Sequence, residues 1–245
     1  AFHIVCLFLF LLMLFNYTHL LLNFYKNMTF CLNTKIISPE NNISINNAVI
    51  LLHGYGGDGN DISALTLNWQ RFLPNTIFLC PDAHQRCEIN PSGFQWFDLT
   101  KDDQEYILNE SIHAERKVNQ FIEEIKVHYN LKNHQISLCG FSQGSMLSIN
   151  LGLTNEEKFS SIVGFSGKII NKNNLLTRIK SKTKILLIHG DQDEVVNPTN
   201  LLESKDFLVR NNISVETNMI KNCGHHISVE ASSLALNFIK KNFKI

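Results

Sequence analysis

The sequence predicts an α/β fold with a mainly parallel, twisted sheet and helices on both faces. Short runs of β-branched and apolar residues alternate with longer stretches of helical periodicity along most of the 245-residue chain. Strands and helices that alternate at this spacing need crossover connections, which pair the strands in parallel and cover both faces of the sheet. The formal net charge is zero, so the chain lacks the basic field that binding of nucleic acid requires.

Six strands are predicted, most of them from buried apolar runs that end at glycine, proline or polar residues. In chain order they are Ala48–Leu52, Ile77–Cys80, Gln135–Cys139, Ser161–Phe165, Lys184–Ile188 and Ser214–Ile220. The clearest helix is predicted over residues 104–129, where apolar residues recur with a period of about 3.6. A second closes the chain over residues 231–242. Because no connection is long enough for a large cap domain, residues 28–245 are predicted to form one domain.

Residues 1–27 are predicted to be an apolar N-terminal extension outside that domain. Residues 1–25 contain no charged side chain, but polar residues interrupt the apolar run before it reaches the length of about 20 that a spanning helix needs. The segment also lacks the basic start and small-residue cleavage site of a signal peptide. A hydrophobic anchor is the alternative, and membrane contact is expected only in that case.

Cysteine usage indicates a reducing, cytoplasmic compartment. The six cysteines lie far apart without a C-x-x-C pair, which is neither a disulfide framework nor a zinc-ribbon spacing. A metal site at His225 and His226 is not expected either, because adjacent side chains point apart and no third ligand follows at a usual spacing. The sequence therefore predicts no metal and no cofactor.

The third predicted strand runs into a G-x-S-x-G motif centred on Ser142. A serine on a sharp turn between a strand and a helix is exposed for nucleophilic attack, and the two glycines let the backbones approach closely. The turn places Ser142 at a helix N-terminus, where the partial positive charge favours a developing oxyanion. The backbone N–H of Gln143 is predicted to point to the same place.

A nucleophilic serine needs a histidine to take its proton and an acid to orient that histidine. Acids follow the fifth strand at Asp191 and Asp193, and histidines follow the last strand at His225 and His226. The chain order Ser, Asp, His is the order of α/β-hydrolases. Asp193 is the preferred acid, since Asp191 is typical of a residue that closes a turn. One histidine is expected to be catalytic and the other a neighbour.

The glycine-rich loop of residues 53–59 follows the first predicted strand and allows two interpretations. Gly54, Gly56 and Gly59 fit the G-x-G-x-x-G dinucleotide fingerprint, with Asp82 about twenty residues further on. That interpretation predicts an oxidoreductase domain, but it leaves the serine motif and its partners unexplained.

The alternative is a second oxyanion donor beside the nucleophile, since such donors are backbone N–H groups that approach the substrate closely. The N–H of Tyr55 is the candidate.

His53 and His189 each precede a glycine at a strand end, and both are expected to be buried and hydrogen bonded rather than to transfer protons.

Six motifs occur in the order and spacing of one known family: LLHGYGGDG, CPDAH, GFQWFDL, LCGFSQGSM, HGDQDEVV and CGHHIS. From about Val49 to Phe238 the chain resembles the phospholipase/carboxylesterase family of α/β-hydrolases. This resemblance implies an α/β-hydrolase fold, with Ser142 as nucleophile, Asp193 as triad acid and His225 as base. It also implies oxyanion donors at the N–H groups of Tyr55 and Gln143.

The resemblance further places Gln95, Trp96 and Phe97 beside the acyl pocket. Trp69 is a further candidate for contact with an acyl chain, and packing in the core is the alternative for both tryptophans. The sequence departs from the family pattern at residues 196–198, where Val-Asn-Pro replaces the usual Val-Pro after the acid, and at the doubled histidine.

The predicted function is hydrolysis of carboxylic esters with small to medium acyl chains through an acyl-Ser142 intermediate. The expected partner is a small-molecule ester or acyl-thioester. The alternatives within the class are a lysophospholipase or an acyl-protein thioesterase that acts on longer acyl chains. Outside it, the alternatives are a dinucleotide-binding oxidoreductase and a hydrolase fold kept for binding alone.

Overall fold

The computed structural model describes residues 30–40 and 43–245, so the predicted extension of residues 1–27 lies outside the described residues. The strands are β1 Thr34–Ile37, β2 Asn47–Leu52, β3 Thr76–Pro81, β4 Gln85–Arg86, β5 Phe94–Gln95, β6 Ile136–Phe141, β7 Ser161–Phe165, β8 Ile185–Gly190 and β9 Val215–Ile220. The α-helices are α1 Gly59–Ser63, α2 Thr66–Trp69, α3 Gln104–Tyr129, α4 Gln143–Thr154, α5 Lys172–Arg178, α6 Thr199–Arg210 and α7 Val229–Phe243.

Seven strands form one sheet in the order β1-β3-β2-β6-β7-β8-β9. All neighbouring pairs are parallel except β1 and β3, which are antiparallel. All six predicted strands are present within two residues of their predicted bounds, and the predicted α/β-hydrolase class without a large cap domain is confirmed. The sequence did not predict edge strand β1 or the short hairpin β4–β5.

Helices cover both faces because the central strands are apolar on both sides. Ala48, Ile50 and Leu52 of β2 pack in one cluster with α3 and α4. Val49 and Leu51 of the same strand point the other way and pack with α7. Side chains alternate along a strand, so a continuous apolar run has to be buried on both faces.

The two longest helices begin and end at residues whose chemistry favours helix ends. The side chain of Asp103 accepts hydrogen bonds from the N–H groups of Glu105 and Tyr106 and thereby caps α3. Asn130 ends that helix in the left-handed region. Ser228 caps α7 by accepting from the N–H of Ala231, which fixes where α7 starts after the loop that contains His225.

Two neighbouring strand ends are joined by a buried imidazole. His53, directly after β2, donates from Nδ1 to the carbonyl of Gly54 at 2.7 Å. Its Nε2 accepts from the N–H of Ala83, after β3, at 3.0 Å. This hydrogen bonding requires the neutral ring, and burial lowers the pKa of His53 below its ordinary value.

The cysteines in the described part of the chain are free thiols. Burial raises the pKa of the Cys80 thiol to about 12, which keeps it protonated and unreactive at neutral pH. Among residues 30–40 and 43–245, no helix combines the length and the apolar character needed to cross a membrane.

The turn from β6 into α4 brings backbones so close that its two glycines have no room for a side chain. A Cβ on Gly140 would lie 2.2 Å from the carbonyl oxygen of Gly144, and a Cβ on Gly144 would lie 2.1 Å from that of Leu52. Only glycine allows the end of β2 and the start of α4 to meet in this way.

We therefore expect Gly144→Ala to lower the free energy of unfolding by about 3 kcal/mol, since a forced backbone shift costs at least as much as ordinary overpacking. Gly224→Ala is the matched control, because its Cβ would meet no atom closer than 3.7 Å. Urea unfolding followed by fluorescence measures both variants. Equal midpoints for the two would contradict the packing described here.

A second prediction concerns the pH dependence of stability. Between the ordinary histidine pKa of 6.5 and the lower value in the folded chain, only the unfolded state binds the proton at His53. Stability is then lost as the pH falls through this window, by up to about 1.4 kcal/mol per pH unit from this residue. Urea unfolding of the wild type at several pH values, over about two units from pH 7.5 to 5.5, measures the slope of the free energy of unfolding against pH. In His53→Asn the slope should be shallower; an unchanged slope would show that His53 is not its source.

Candidate active site

Ser142 lies between β6 and α4 in a strained backbone conformation, with φ 52° and ψ −115°. A non-glycine residue with positive φ persists only where its surroundings hold it. Here the N–H of Ser142 donates to the carbonyl of Phe165 on β7 at 2.8 Å, and the glycine contacts hold the other side of the turn. The hydroxyl is thereby lifted from the carboxyl end of the sheet, as in a nucleophile elbow.

His225 connects the hydroxyl to a carboxylate. Its Nε2 lies 3.0 Å from Oγ of Ser142, and its Nδ1 lies 2.8 Å from Oδ2 of Asp193. A carboxylate only accepts hydrogen bonds, so Nδ1 carries the proton and Nε2 is left to accept from the serine. His226 is exposed and its Nε2 lies 3.7 Å from Sγ of Cys223. The structure thus brings together the three residues predicted as the triad, and of the two histidines it places His225 in that position.

Asp193 is buried, with 4% of its surface exposed, and its oxygens are surrounded by donors. Oδ1 accepts from the N–H groups of Val195 and Val196 at 2.9 and 2.8 Å. Burial alone would raise the pKa of Asp193, but the hydrogen bonds from His225 and from these backbone groups outweigh it and lower the pKa. The residue is therefore a carboxylate at neutral pH.

The neighbours of Asp193 hold the acid in place. His189 is buried at the end of β8; its Nε2 donates to the carbonyl of Val196 at 2.8 Å and lies 3.2 Å from Oδ2 of Asp193. Asp191 is exposed, and its carboxylate accepts from the N–H of Cys223 at 3.3 Å. Asp191 thus supports the loop that contains His225 and lies outside the hydrogen-bonded chain from Ser142.

The two predicted oxyanion donors flank the serine. Gln143 is the first residue of α4, and among the described residues neither its N–H nor that of Tyr55 has a hydrogen-bond acceptor. A Cβ on Gly54 would lie 3.3 Å from Cβ of Ser142, so the loop containing Tyr55 packs directly against Ser142. Pairing with β5 fixes that loop: the N–H of Gly56 donates to the carbonyl of Phe94 at 2.9 Å, and the N–H of Phe94 donates to that of Gly57 at 2.9 Å.

The side chain of Gln143 has a positioning role that the sequence reasoning missed. Its Oε1 accepts from the N–H of Trp96 at 2.8 Å, and its Nε2 donates to the carbonyl of Phe97 at 2.6 Å. The indole N–H of Trp96 in turn donates to the carbonyl of His53 at 3.0 Å. The only sequence signal was an amide side chain inside the G-x-S-x-G motif, which does not specify a partner.

A groove of about 700 Å³ opens beside His225, between α7 and the segment that contains α1 and α2. Trp69, a predicted pocket residue, contributes to its wall and donates from Nε1 to Oγ of Ser232 at 3.0 Å. The side chains of Gln95, Trp96 and Phe97 are buried and do not line this groove. They pack in the core or hydrogen bond within the hairpin and its surroundings. Their predicted place beside an acyl pocket stays a prediction.

The dinucleotide interpretation of the glycine-rich loop does not fit the structure. The carboxylate of Asp82 is buried and accepts from the N–H of Gly59 at 2.8 Å and from Nδ2 of Asn33 at 2.6 Å. It therefore holds the start of α1 and a segment next to β1, and is not free to bind a ribose.

Comparison with known proteins agrees with this geometry. Residues 32–243 match the model of the Phospholipase/Carboxylesterase family. Acyl-protein thioesterase 1 of Emericella nidulans is 29% identical over 167 residues, which cover 60% of this chain and 70% of that protein. Esterase YpfH of Escherichia coli is 24% identical over 204 residues, covering 78% and 81%. The crystal structure of esterase PE8 superposes with a TM-score of 0.81 at 32% identity, covering 86% of this chain and 98% of that one. The chain belongs to the phospholipase/carboxylesterase family of hydrolases.

Proposed function

We propose that this enzyme is a serine hydrolase that cleaves carboxylic esters of small to medium acyl chains through an acyl-Ser142 intermediate. The observation that supports the proposal most directly is the unbroken hydrogen-bonded chain from the Ser142 hydroxyl through His225 to Asp193. All three residues follow the carboxyl ends of parallel strands, where α/β folds collect their functional groups. Membership of the family supports the same reaction class.

In the first half of the reaction, Oγ of Ser142 bonds to the carbonyl carbon while Nε2 of His225 takes the hydroxyl proton. The carbonyl oxygen becomes an oxyanion that the N–H groups of Tyr55 and Gln143 stabilise, each by about 3 kcal/mol. When the tetrahedral intermediate collapses, the bond to the alcohol or thiol breaks and Nε2 returns the proton to the departing atom. The product that remains is the ester of Ser142.

In the second half, water takes the place of the departed alcohol. His225 removes a proton from the water, the water oxygen bonds to the acyl carbon, and the same two N–H groups stabilise the second oxyanion. Collapse breaks the bond to Oγ, and His225 reprotonates Ser142. The sum is one ester and one water converted to one acid and one alcohol.

Acyl-thioesters are the second candidate substrate class. The relatives named acyl-protein thioesterase 1 come from several fungi, including Schizosaccharomyces pombe and Yarrowia lipolytica. The machinery described above does not depend on whether the departing atom is oxygen or sulfur. A lysophospholipase would use it in the same way. The cytoplasmic location inferred from cysteine usage fits either substrate class and stays a prediction.

The nucleophile can be tested directly by covalent labelling. A fluorophosphonate probe should modify the wild type and fail to modify Ser142→Ala, because the probe reacts with a serine whose proton has an acceptor. Ser145→Ala is the matched control, since Ser145 lies three residues further on, in α4, and is buried. Peptide mapping of the labelled protein identifies the modified residue. Labelling at another serine would reassign the nucleophile. No labelling of the folded wild type would refute the mechanism and favour a protein kept for binding.

The acid can be tested by a pair of substitutions. Asp193→Asn should lower kcat by about 10⁴-fold, because an amide no longer holds the imidazole in the tautomer that accepts the serine proton. Asp191→Asn should change kcat by less than about tenfold, since the amide oxygen can still accept from the N–H of Cys223. Steady-state kinetics on a p-nitrophenyl ester, with thermal unfolding to check the fold, measures both. A large loss in Asp191→Asn alone would reassign the acid.

A further inference from the structure

The groove beside His225 has apolar residues on both of its long walls, among polar ones such as Asp61, Asn68 and Ser233. Leu65, Trp69 and Phe72 line one wall, and Ile227, Val229 and Leu236 line the other. Its volume of about 700 Å³ lies within the range of about 300–1,000 Å³ of pockets that enclose small organic ligands. Such a surface is suited to a hydrocarbon chain, since each buried methylene contributes about 0.8 kcal/mol.

The inner end of the groove borders the triad at His225. Phe141, His225 and the loop of Gly54 and Tyr55 line it, and the Phe141 and His225 rings pack with their centroids 4.8 Å apart. The groove then follows the chain onward from His225, through Ile227 and into α7. One of its walls is therefore formed by the segment that follows His225, and not by the segment that follows Ser142.

The position of the groove next to His225 distinguishes the acyl side of an ester from its alcohol or thiol side. The atom that departs must take its proton from Nε2 of His225, so the leaving alcohol or thiol has to lie on the imidazole side. The segment expected to line an acyl pocket, residues 95–97, is buried and does not border the groove. Its backbone is also held by the side chain of Gln143.

We propose that the groove binds the apolar chain of the leaving alcohol or thiol, so that the enzyme selects its esters by the leaving group. The proposal rests on the function proposed above. The outer end of the groove is open: Val229 is 83% exposed, and Leu67, two residues before the groove residue Trp69, is 78% exposed. A chain longer than the groove can thus extend past its end into the surroundings.

Isomeric esters give a direct test. Hexyl acetate and ethyl hexanoate have the same composition and differ only in the side of the carbonyl on which the longer chain lies. With the full-length enzyme in a pH-stat, which follows acid release from any ester, kcat/KM should be at least about tenfold higher for hexyl acetate. Equal values, or a preference for ethyl hexanoate, would overturn the assignment of the groove.

Substitutions that fill the groove test its location. Ser233→Phe on α7 and Ala64→Phe on the opposite wall place a ring in the groove from two sides, and neither residue belongs to the catalytic machinery. Each should reduce the preference for hexyl acetate to within about twofold while ethyl acetate hydrolysis stays within about twofold of the wild type. Gln120→Phe, at an exposed position of α3 outside the groove, is the matched control and should keep the preference.

The outcomes separate the two proposals. Suppose that Ser142→Ala loses activity on all esters and that the wild type shows no dependence of kcat/KM on alcohol length. This result would support the serine hydrolase and contradict the assignment of the groove. A folded wild type that hydrolyses no ester or thioester would contradict both. If both filling variants are folded by thermal unfolding and lower kcat/KM equally for the two isomers, the groove does not bind the leaving group.

Discussion

Parallel pairing of the central strands is the constraint on which the site depends. Strands β2, β6, β8 and β9 all run in the same direction, so the residues that follow them emerge at one edge of the sheet. Ser142 and His225 are 83 positions apart in sequence, yet the Oγ and Nε2 atoms are 3.0 Å apart. An antiparallel arrangement of the same strands would alternate those residues between opposite edges. The close approach of β2 to α4 at Gly144 then places the loop of Tyr55 against the serine.

Much of this arrangement could be read from the sequence because its signals are local. A buried parallel strand is typically a continuous apolar run, and the six predicted strands correspond to the six strands that pair in parallel in the sheet. The helix predicted over residues 104–129 has those bounds in the structure, since its apolar spacing agrees with the cap at Asp103. The two glycines of the serine motif predicted positions with no room for a side chain, and the backbones at Gly140 and Gly144 are that close.

What the sequence did not provide depends on contacts between distant segments. The edge strand β1 is four residues long with two exposed positions, so it has no distinctive apolar pattern. The hairpin β4–β5 has two residues in each strand and gives no periodicity. Trp96 and Phe97 were predicted beside an acyl pocket from the family resemblance, which says nothing of the contacts that hold this segment. Only the hydrogen bonds from Gln143 and to His53 show that this segment is a support.

The residues that support the site share one physical property: their hydrogen bonds are satisfied within the protein, without substrate. Asp193 has the N–H groups of Val195 and Val196 on one oxygen, and His225 and His189 near the other. The Gln143 amide is satisfied by the backbone of residues 96 and 97. Groups held in this way do not have to reorient when charge develops on the substrate, and such preorganisation is a large part of enzymatic rate enhancement. The N–H groups of Tyr55 and Gln143, by contrast, have no acceptor in the described residues, as the proposed role in binding an oxyanion requires.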